Sequence, residues 1–387
     1  MSQSKFSFRG QAYDFIFLGA GCASLSIVMR MIKSGKFADK KILLIDKEPK
    51  TKNDRTWCFW ENQAGFFEEI VYKRWNRLSF FSDDYSDAMD ISPYQYKMIR
   101  GIDFYNYCFE EISRHSNIQI RYGEAAIINE PGPAIRLDGE EIPVSNGVVF
   151  NSFYKETTGT NNKEIHLLQH FKGWIIETQL PVFDPSTATF MDFRVEQKRG
   201  TAFAYVLPFT SNNALVEYTL FTEKLLTDEE YEKELRSYIA QFLNLQEYKV
   251  VETESGVIPM TTKGFQFNKN SIYNIGTAGG QTKASSGYTF QFIQKQSGLL
   301  VECLVNNRPL SEASSTPNRF LFYDKVLLDV LHNKRVSGKE IFTTLFKKNE
   351  PLQVLRFLDN ESSIGEELKI ISTLPTIPFI KAAINQF

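Results

Sequence analysis

Residues 13–46 constrain the fold more than any other stretch of this chain. An apolar run, Tyr13 to Leu18 (YDFIFL), stops at Gly19-Ala20-Gly21-Cys22-Ala23-Ser24 and gives way to LSIVMRMIKSGKF, whose apolar residues recur at helical spacing. A second short apolar run, Lys41 to Ile45 (KILLI), ends at Asp46. Strand, glycine turn, helix and strand in this order form a Rossmann-like unit. The turn lets backbone approach a pyrophosphate at the helix N-terminus, and a terminal carboxylate reaches ribose hydroxyls. Ser24 stands where a third glycine is usual, and it is small enough for close packing of helix on strand. Gly19, Ala20, Gly21, Ser24 and Asp46 are therefore the expected dinucleotide contacts. No second glycine fingerprint for a nicotinamide nucleotide follows.

Further along, 118–128 and 134–142 alternate like hairpin strands, and Gly147 to Asn151 reads as a buried strand that can complete the same sheet. From Leu167 to Met260 the pattern becomes repeated strands, interrupted by one amphipathic helix from about Asp228 to Leu243. A strand, glycine turn and helix start return at residues 272–290, and the chain past Arg319 reads as helical. On that stretch Tyr323, Val326, Leu327, Val330 and Leu331 form one stripe, with Asp324 and Asp329 off it. The expected architecture is α/β: a Rossmann-like first part (1–155), an inserted, mostly antiparallel sheet for the substrate (156–264), a return segment (265–310) and a helical C-terminal region (311–387).

Balanced charge, with 44 basic against 46 acidic residues, leaves no nucleic-acid footprint. The four cysteines are widely spaced and lack histidine partners, which speaks against structural zinc and a disulfide framework. The N-terminus lacks the apolar run of a leader, and no uninterrupted run of eighteen apolar residues occurs; a cytoplasmic protein, peripheral to the membrane from that side, is expected. The 33 phenylalanines and 17 tyrosines fill a core and also suit a pocket for a bulky apolar ligand.

Three further stretches carry candidate chemistry. Asn53-Asp54-Arg55-Thr56-Trp57-Cys58-Phe59-Trp60 sets a charged triplet against aromatic rings: either a floor beneath a flat cofactor or apolar substrate, with Arg55 on a polar cofactor group, or an aromatic mini-core beneath a loop. Gly276-Thr277-Ala278-Gly279-Gly280 can turn backbone N–H groups toward an electron-rich ring, for which a flavin is the natural candidate, and Ser285 and Ser286 extend it or simply cap a helix. In ALVEYTLFT, strand alternation sets Leu215, Glu217 and Thr219 on one face. A carboxyl there is an exposed surface group or, in an apolar cleft, a protonated general acid. By the same alternation Phe190, Asp192 and Arg194 share a face, and Asp192 is either a structural partner of Arg194 or a catalytic or positioning group.

Side by side, YDFIFLGAGCASLS, NDRTWCFW, YQYKMIRGIDFY, GWIIE, FMDFR, AYVLPF, ALVEYTLFT, GVIPM, IGTAGGQTKASSGYTF, FYDKVLLDVL and LPTIPFIKAA resemble the lycopene cyclase family of flavoproteins, nearly end to end. The resemblance implies bound FAD, active in its reduced form without net redox change, NADPH or NADH as electron donor, and an apolar tunnel for lycopene and related acyclic carotenes. It places Glu217 at the family's acid/base carboxylate and Asp192 at its acidic partner. The implied reaction is protonation of a ψ-end, ring closure through a carbocation and loss of a proton to give a β-ionone ring. Trp57, Trp60 and Tyr288 would line the pocket. Cation–π contacts of about 0.5–2 kcal/mol each leave most of the stabilisation to an anionic flavin.

Such a substrate requires a membrane surface, and other carotenoid enzymes are possible partners. Lys334, Arg335, Lys339, Lys347 and Lys348 among Val336, Ile341, Phe342, Leu345 and Phe346 suit interfacial contact or a solvated helix face. A redox flavoenzyme of the same architecture, a monooxygenase or prenyl-chain reductase, is the rival. Gly276-Thr277 and Phe150-Asn151-Ser152 depart from the Gly-Asp and Asp-Gly such monooxygenases usually carry. A non-catalytic flavin- or carotenoid-binding protein, which has no need of Glu217, is the third reading.

Overall fold

The computed structural model describes residues 12–128, 134–142, 147–154, 164–269, 271–313 and 316–386. The leader reading at the N-terminus and the domain boundary at 155 and 156 fall mostly or wholly outside them.

The first layer is built around β1 (Phe15–Leu18), all four residues of which are buried. It pairs in parallel with β2 (Ile42–Asp46) on one side and β12 (Val148–Asn151) on the other. Outward from these lie β8 (Ile118–Tyr122) beside β2, and β19 (Ile272–Asn274) with β18 (Asn268–Lys269) beside β12. Phe15 and Phe17 face a core with α1 (Cys22–Ser34), α2 (Gly101–Ser113) and α4 (Phe290–Val305), while Ile16 and Leu18 face the other way. That second face is closed by a separate antiparallel sheet of β9 (Ala125–Ile128), β10 (Ala134–Leu137) and β11 (Glu140–Ile142), through Ile135, Leu137 and Ile142. Only part of the expected hairpin region therefore joins the parallel sheet. Strand β8, along which Gln119 and Arg121 alternate, joins at the edge of the parallel sheet, whereas β9, β10 and β11 cover its face.

The second layer is a seven-stranded sheet in the order β17-β13-β16-β15-β14-β5-β6. Its strands are β13 (His166–Glu177), β14 (Thr187–Asp192), β15 (Thr201–Pro208), β16 (Asn213–Thr222) and β17 (Lys249–Thr261), joined by β5 (Arg77–Phe81) and β6 (Ser86–Asp90). All neighbours are antiparallel except β14 and β5. Two strands of this sheet thus come from residues 77–90, ahead of the expected insertion. One face packs on α3 (Asp228–Phe242), which begins with a capping box between Thr227 and Glu230. The other faces a small sheet of β3 (Thr56–Glu61), β7 (Gln95–Arg100) and β4 (Lys73–Trp75), together with the C-terminal helices.

Those helices are α5 (Asn318–His332), α6 (Gly338–Lys348), α7 (Pro351–Leu358), α8 (Ile364–Thr373) and α9 (Thr376–Ile384). Ile341, Phe342, Leu345 and Phe346 of α6 are buried, and Lys339 and Lys347 lie 2.5 and 2.9 Å from Asp83 and Asp84. The apolar residues read there as suiting either interfacial contact or a solvated helix face do neither: Phe342, Leu345 and Phe346 pack α6 into the core beside the large sheet. Asp324 and Asp329, expected off the buried stripe of α5, are buried as well; Lys283 and Arg335 pair with them. Exposed apolar side chains cluster instead on α8 and α9: Ile364, Leu368, Ile377, Ile380 and Ile384 are all more than half exposed. Among the described residues, no helix is long and apolar enough to cross a membrane.

Candidate active site

The glycine turn after β1 leaves the N-terminus of α1 open. Gly19 has φ +93°, a conformation a side chain would strain, and its added Cβ would lie 2.2 Å from Ser152 Oγ. Gly21, the N-cap, has nothing within 4 Å of an added Cβ; no side chain caps the helix, and no acidic residue occupies its first turn. The Ser24 hydroxyl is buried without a hydrogen-bond partner. Uncapped N–H groups, the positive end of a helix and an unpaired hydroxyl suit a phosphate. Asp46 ends β2 as expected. One of its oxygens accepts from the Ala20 N–H at 2.7 Å, and the other lies 3.3 Å from Lys50.

The return segment reaches this turn. Gly276, at φ +60°, packs so that its Cβ would come 3.0 Å from the Ala23 Cβ. A Cβ at Gly279 would lie 2.3 Å from the Asn274 carbonyl. Gly280 is left-handed, and the Thr277 and Thr282 hydroxyls meet at 3.0 Å. The two glycine segments thus form one cradle, which fits an adenine dinucleotide. Arg55 is exposed, and its guanidinium donates to the Asp54 carbonyl; the Asp54 carboxylate accepts from Tyr105 instead of pairing with Arg55.

The aromatic stretch does not form one surface. Strand β3 alternates, so Trp57 turns to Phe104, Tyr105 and Phe290 in the core of the first layer. Trp60, three residues on and therefore on the opposite face, is buried against Tyr288 with ring centroids 4.7 Å apart. Its indole N–H donates to the Leu355 carbonyl. Trp60 and Tyr288 share a wall; Trp57 belongs to another core.

On the face of the large sheet that meets β3, one row of residues runs across four strands: Glu254 on β17, Gly173 on β13, Glu217 on β16 and Tyr205 on β15. Gly173 contributes no side chain, and the two carboxyl groups meet in the space above it. An added Cβ would come 3.2 Å from Glu254 Cγ and 3.4 Å from Glu217 Cβ. Thr219 donates to Glu217 at 2.7 Å, and Thr56 of β3 donates to Glu254 at 2.5 Å. Burial, then the Glu254 charge, pushes the Glu217 carboxyl up to about 8. Burial raises Glu254 too.

Cys58, Tyr205 and Tyr288 crowd the pair, and each is pushed up, first by burial and further by Glu217. The Tyr288 hydroxyl is buried without a well-aligned hydrogen-bond partner. Both glutamates are half-buried, and the site offers a proton held near neutral pH against an aromatic wall. A groove of about 670 Å³, lined by Leu167, Thr222, Leu226 and His332 among others, lies further along the sheet and does not include Glu217.

Asp192 is not brought to this site. A bulge in β14 puts Phe190 and Met191 both toward the aromatic side and turns Asp192, opposite Ala204, toward α3. There its carboxylate takes bonds from Arg194, at 2.9 Å from Nε, and from the Tyr238 hydroxyl at 2.9 Å. Plain alternation, which put Phe190 and Asp192 on one face, fails at the bulge. Sequence reasoning also missed Glu254, Thr56 and Tyr205. VETESGVIPM alternates visibly, but nothing local tells that Glu254 lies two strands from Glu217.

Solved structures share the whole architecture. A geranylgeranyl bacteriochlorophyll reductase-like protein from Thermoplasma acidophilum superposes with a TM-score of 0.65 at 12% identity, covering 97% of this chain and 99% of that one. A flavoprotein/dehydrogenase from Cytophaga hutchinsonii gives 0.63 at 12% identity over 97% and 99%. A probable FAD-dependent monooxygenase from Pseudomonas aeruginosa gives 0.56 at 11% identity over 84% and 98%. At such identities these likenesses concern the fold. In sequence, the chain is 24% identical over 263 residues to a lycopene beta-cyclase of Pantoea ananas; the match takes in 65% of this chain and 63% of that protein. The model of the family described as lycopene cyclase protein matches residues 14–384, which include both glycine segments and the carboxyl pair. With that match running almost from end to end, the chain belongs to the lycopene cyclase family.

Proposed function

We propose that this chain is a lycopene β-cyclase, which converts ψ-ends of lycopene to β-ionone rings by acid/base chemistry. The observation that carries the reading is Glu217, a half-buried carboxyl held protonated near neutral pH against the aromatic rings of Tyr205 and Tyr288. Glu217 donates its proton to the terminal double bond of the polyene, the ring closes, and a proton returns from the ring to the same carboxylate. Trp60, Tyr205 and Tyr288 keep water out and present ring faces to positive charge. FAD is the cofactor proposed for the glycine cradle, held by the α1 N-terminus, Ser24, Asp46 and the 276–280 segment, with NADPH or NADH as electron donor. When bound and reduced, it supplies negative charge beside the developing cation. Asp192 acts at a distance, by fixing Arg194 and Tyr238 behind the sheet.

The substrate is delivered from a bilayer. In place of α6, the docking surface proposed is the exposed apolar face of α8 and α9, where Lys369 and Lys381 are exposed beside isoleucines. Glu366 and Glu367 of the same region pair with Arg356 and Arg319. The remaining charge is positive, as an anionic membrane surface on the cytoplasmic side favours.

Expression in cells that accumulate lycopene, followed by chromatography of the pigments, tests the activity. γ- or β-carotene from the wild type, and lycopene alone from a flavin-retaining Glu217→Gln protein, are expected. Unchanged lycopene with a flavin-loaded wild type favours a redox enzyme of the same architecture.

A further inference from the structure

The mechanism above uses one carboxyl, yet the site holds two. Glu254 stands across Gly173 from Glu217, and its side chain is anchored from another sheet by the Thr56 hydroxyl. Thr56 belongs to the charged and aromatic stretch that stood out in the sequence, and nothing in the proposed chemistry accounts for it. We infer that Glu254, oriented by Thr56, is a positioning residue: it remains ionised and, by accepting a hydrogen bond across Gly173, holds the single proton of the pair on Glu217, aimed at the substrate. This inference rests on the cyclase reading.

The surroundings favour that division. The groups that bear on the pair are Thr219 and Tyr205 from the neighbouring strands, Thr56 and Cys58 from β3, Tyr288 ahead of α4, and Glu252 two residues along β17. None of these is cationic, so two negative charges at this spacing have nothing to neutralise them, and one proton must remain. Its place is set by the donors. Burial raises both carboxyls, and each accepts one hydroxyl; the shorter bond, 2.5 Å from Thr56 to Glu254 against 2.7 Å from Thr219 to Glu217, favours the ionised form at Glu254. The proton thus resides on Glu217. After it is given up, the ionised Glu254 makes Glu217 a stronger base for the proton leaving the ring, so one group serves both steps.

Glu254→Gln removes the charge and keeps the shape. Infrared titration of the protonated carboxyl, assigned by its loss in Glu217→Gln, reads the proton directly. Beside it, the pH profile of cyclisation by the flavin-loaded enzyme reads its use. In the wild type the band persists to about pH 8. In Glu254→Gln it disappears at about tenfold higher proton concentration or more, and the alkaline limb of kcat moves with it while flavin retention is unchanged. Thr56→Val, which leaves both carboxyls, lets part of the proton move to Glu254, lowering kcat and the Glu217 band at neutral pH without moving the limb to lower pH; it carries the test should Glu254→Gln not fold, and an unchanged band in it counts against the inference. An unmoved band in Glu254→Gln overturns the inference. So does complete inactivity at every pH of a folded, flavin-loaded Glu254→Gln, which would make Glu254 a proton-transfer group itself. If the wild type makes no cyclic carotene, the cyclase reading falls, and the infrared titration still decides how the pair holds its proton.

Discussion

Lys283 Nζ lies 2.7 Å from Asp324 Oδ1, and both side chains are almost wholly buried. The lysine also donates to Asn360, and Ser285 donates to the same Asp324 oxygen at 2.6 Å. Lys283 and Ser285 follow the glycines of the return segment, whereas Asp324 is on α5 and Asn360 follows α7. The ion pair therefore ties the cradle proposed for the cofactor to the C-terminal helices.

Removing one partner leaves the other charge buried and uncompensated. Lys283→Met is expected to lower unfolding free energy by about 3–5 kcal/mol, and the double change with Asp324→Asn to recover much of it. Urea unfolding of the flavin-bound proteins measures both. Equal losses in the single and double variants would show that the pair is not what holds the loop.

Glu217 has a stability signature separate from catalysis. Its folded carboxyl is raised from 4.5 to about 8, so between those values the folded chain keeps a proton that the unfolded chain has released. Stability must then fall as pH rises across that window and level off above it. Glu217→Gln has no such slope. It should melt close to the wild type at pH 4 and be more stable by on the order of 2 kcal/mol at pH 8, after allowance for solvent screening. Parallel melting curves at the two pH values would contradict a protonated Glu217.

Gly173 is required by proximity rather than by backbone angle. In Gly173→Ala the new methyl would come 2.9 Å from Leu215 Cδ1 and press between the two glutamates. A cost of about 1–3 kcal/mol from overpacking is expected, with a larger proportional loss of cyclisation, because the carboxyls are pushed apart. Activity and thermal midpoint measured together separate the effects. Wild-type turnover in a stable Gly173→Ala protein would show that the spacing is unimportant.

Charge placed on the α8 and α9 face should release the protein from vesicles. Each isoleucine withdrawn from water contributes roughly 1.5–3 kcal/mol, so Ile377→Glu or Ile384→Glu should weaken co-sedimentation with anionic liposomes by about tenfold or more. Leu180→Glu, at an exposed site beyond the end of β13, is the control. Loss of binding in the control alone would move the docking surface elsewhere.

The parts of this molecule that a sequence reveals are those whose physics is local. Strand, turn and helix at residues 13–46 follow from apolar runs and the glycine geometry between them, and the face of Glu217 follows from alternation along one regular strand. The same rule applied to Trp57 and Trp60 gives opposite faces, as found; reading them as one surface overlooked that an interval of three crosses the strand. Asp192 defeated alternation because a bulge adds a residue without any signature in FMDFR. Glu254 was hidden for another reason, since its partner is chosen by strand order, and Gly173 records that order only once the sheet exists. On α6, the pattern of apolar residues marks a face that must be covered. Whether protein or membrane covers it is decided by the whole fold.

The parallel pairing of β14 with β5 has a consequence for how the chain is made. Residues 77–90 leave the ribosome long before residues 187–192, and until then the strand that carries Leu78 and Phe80, both fully buried in the finished protein, has one open edge. The newborn polypeptide must carry an open, sticky hairpin through the synthesis of an entire intervening layer. Cutting the gene between the layers would yield two fragments that each expose a raw sheet margin, and they would be expected to clump alone and to heal when made together.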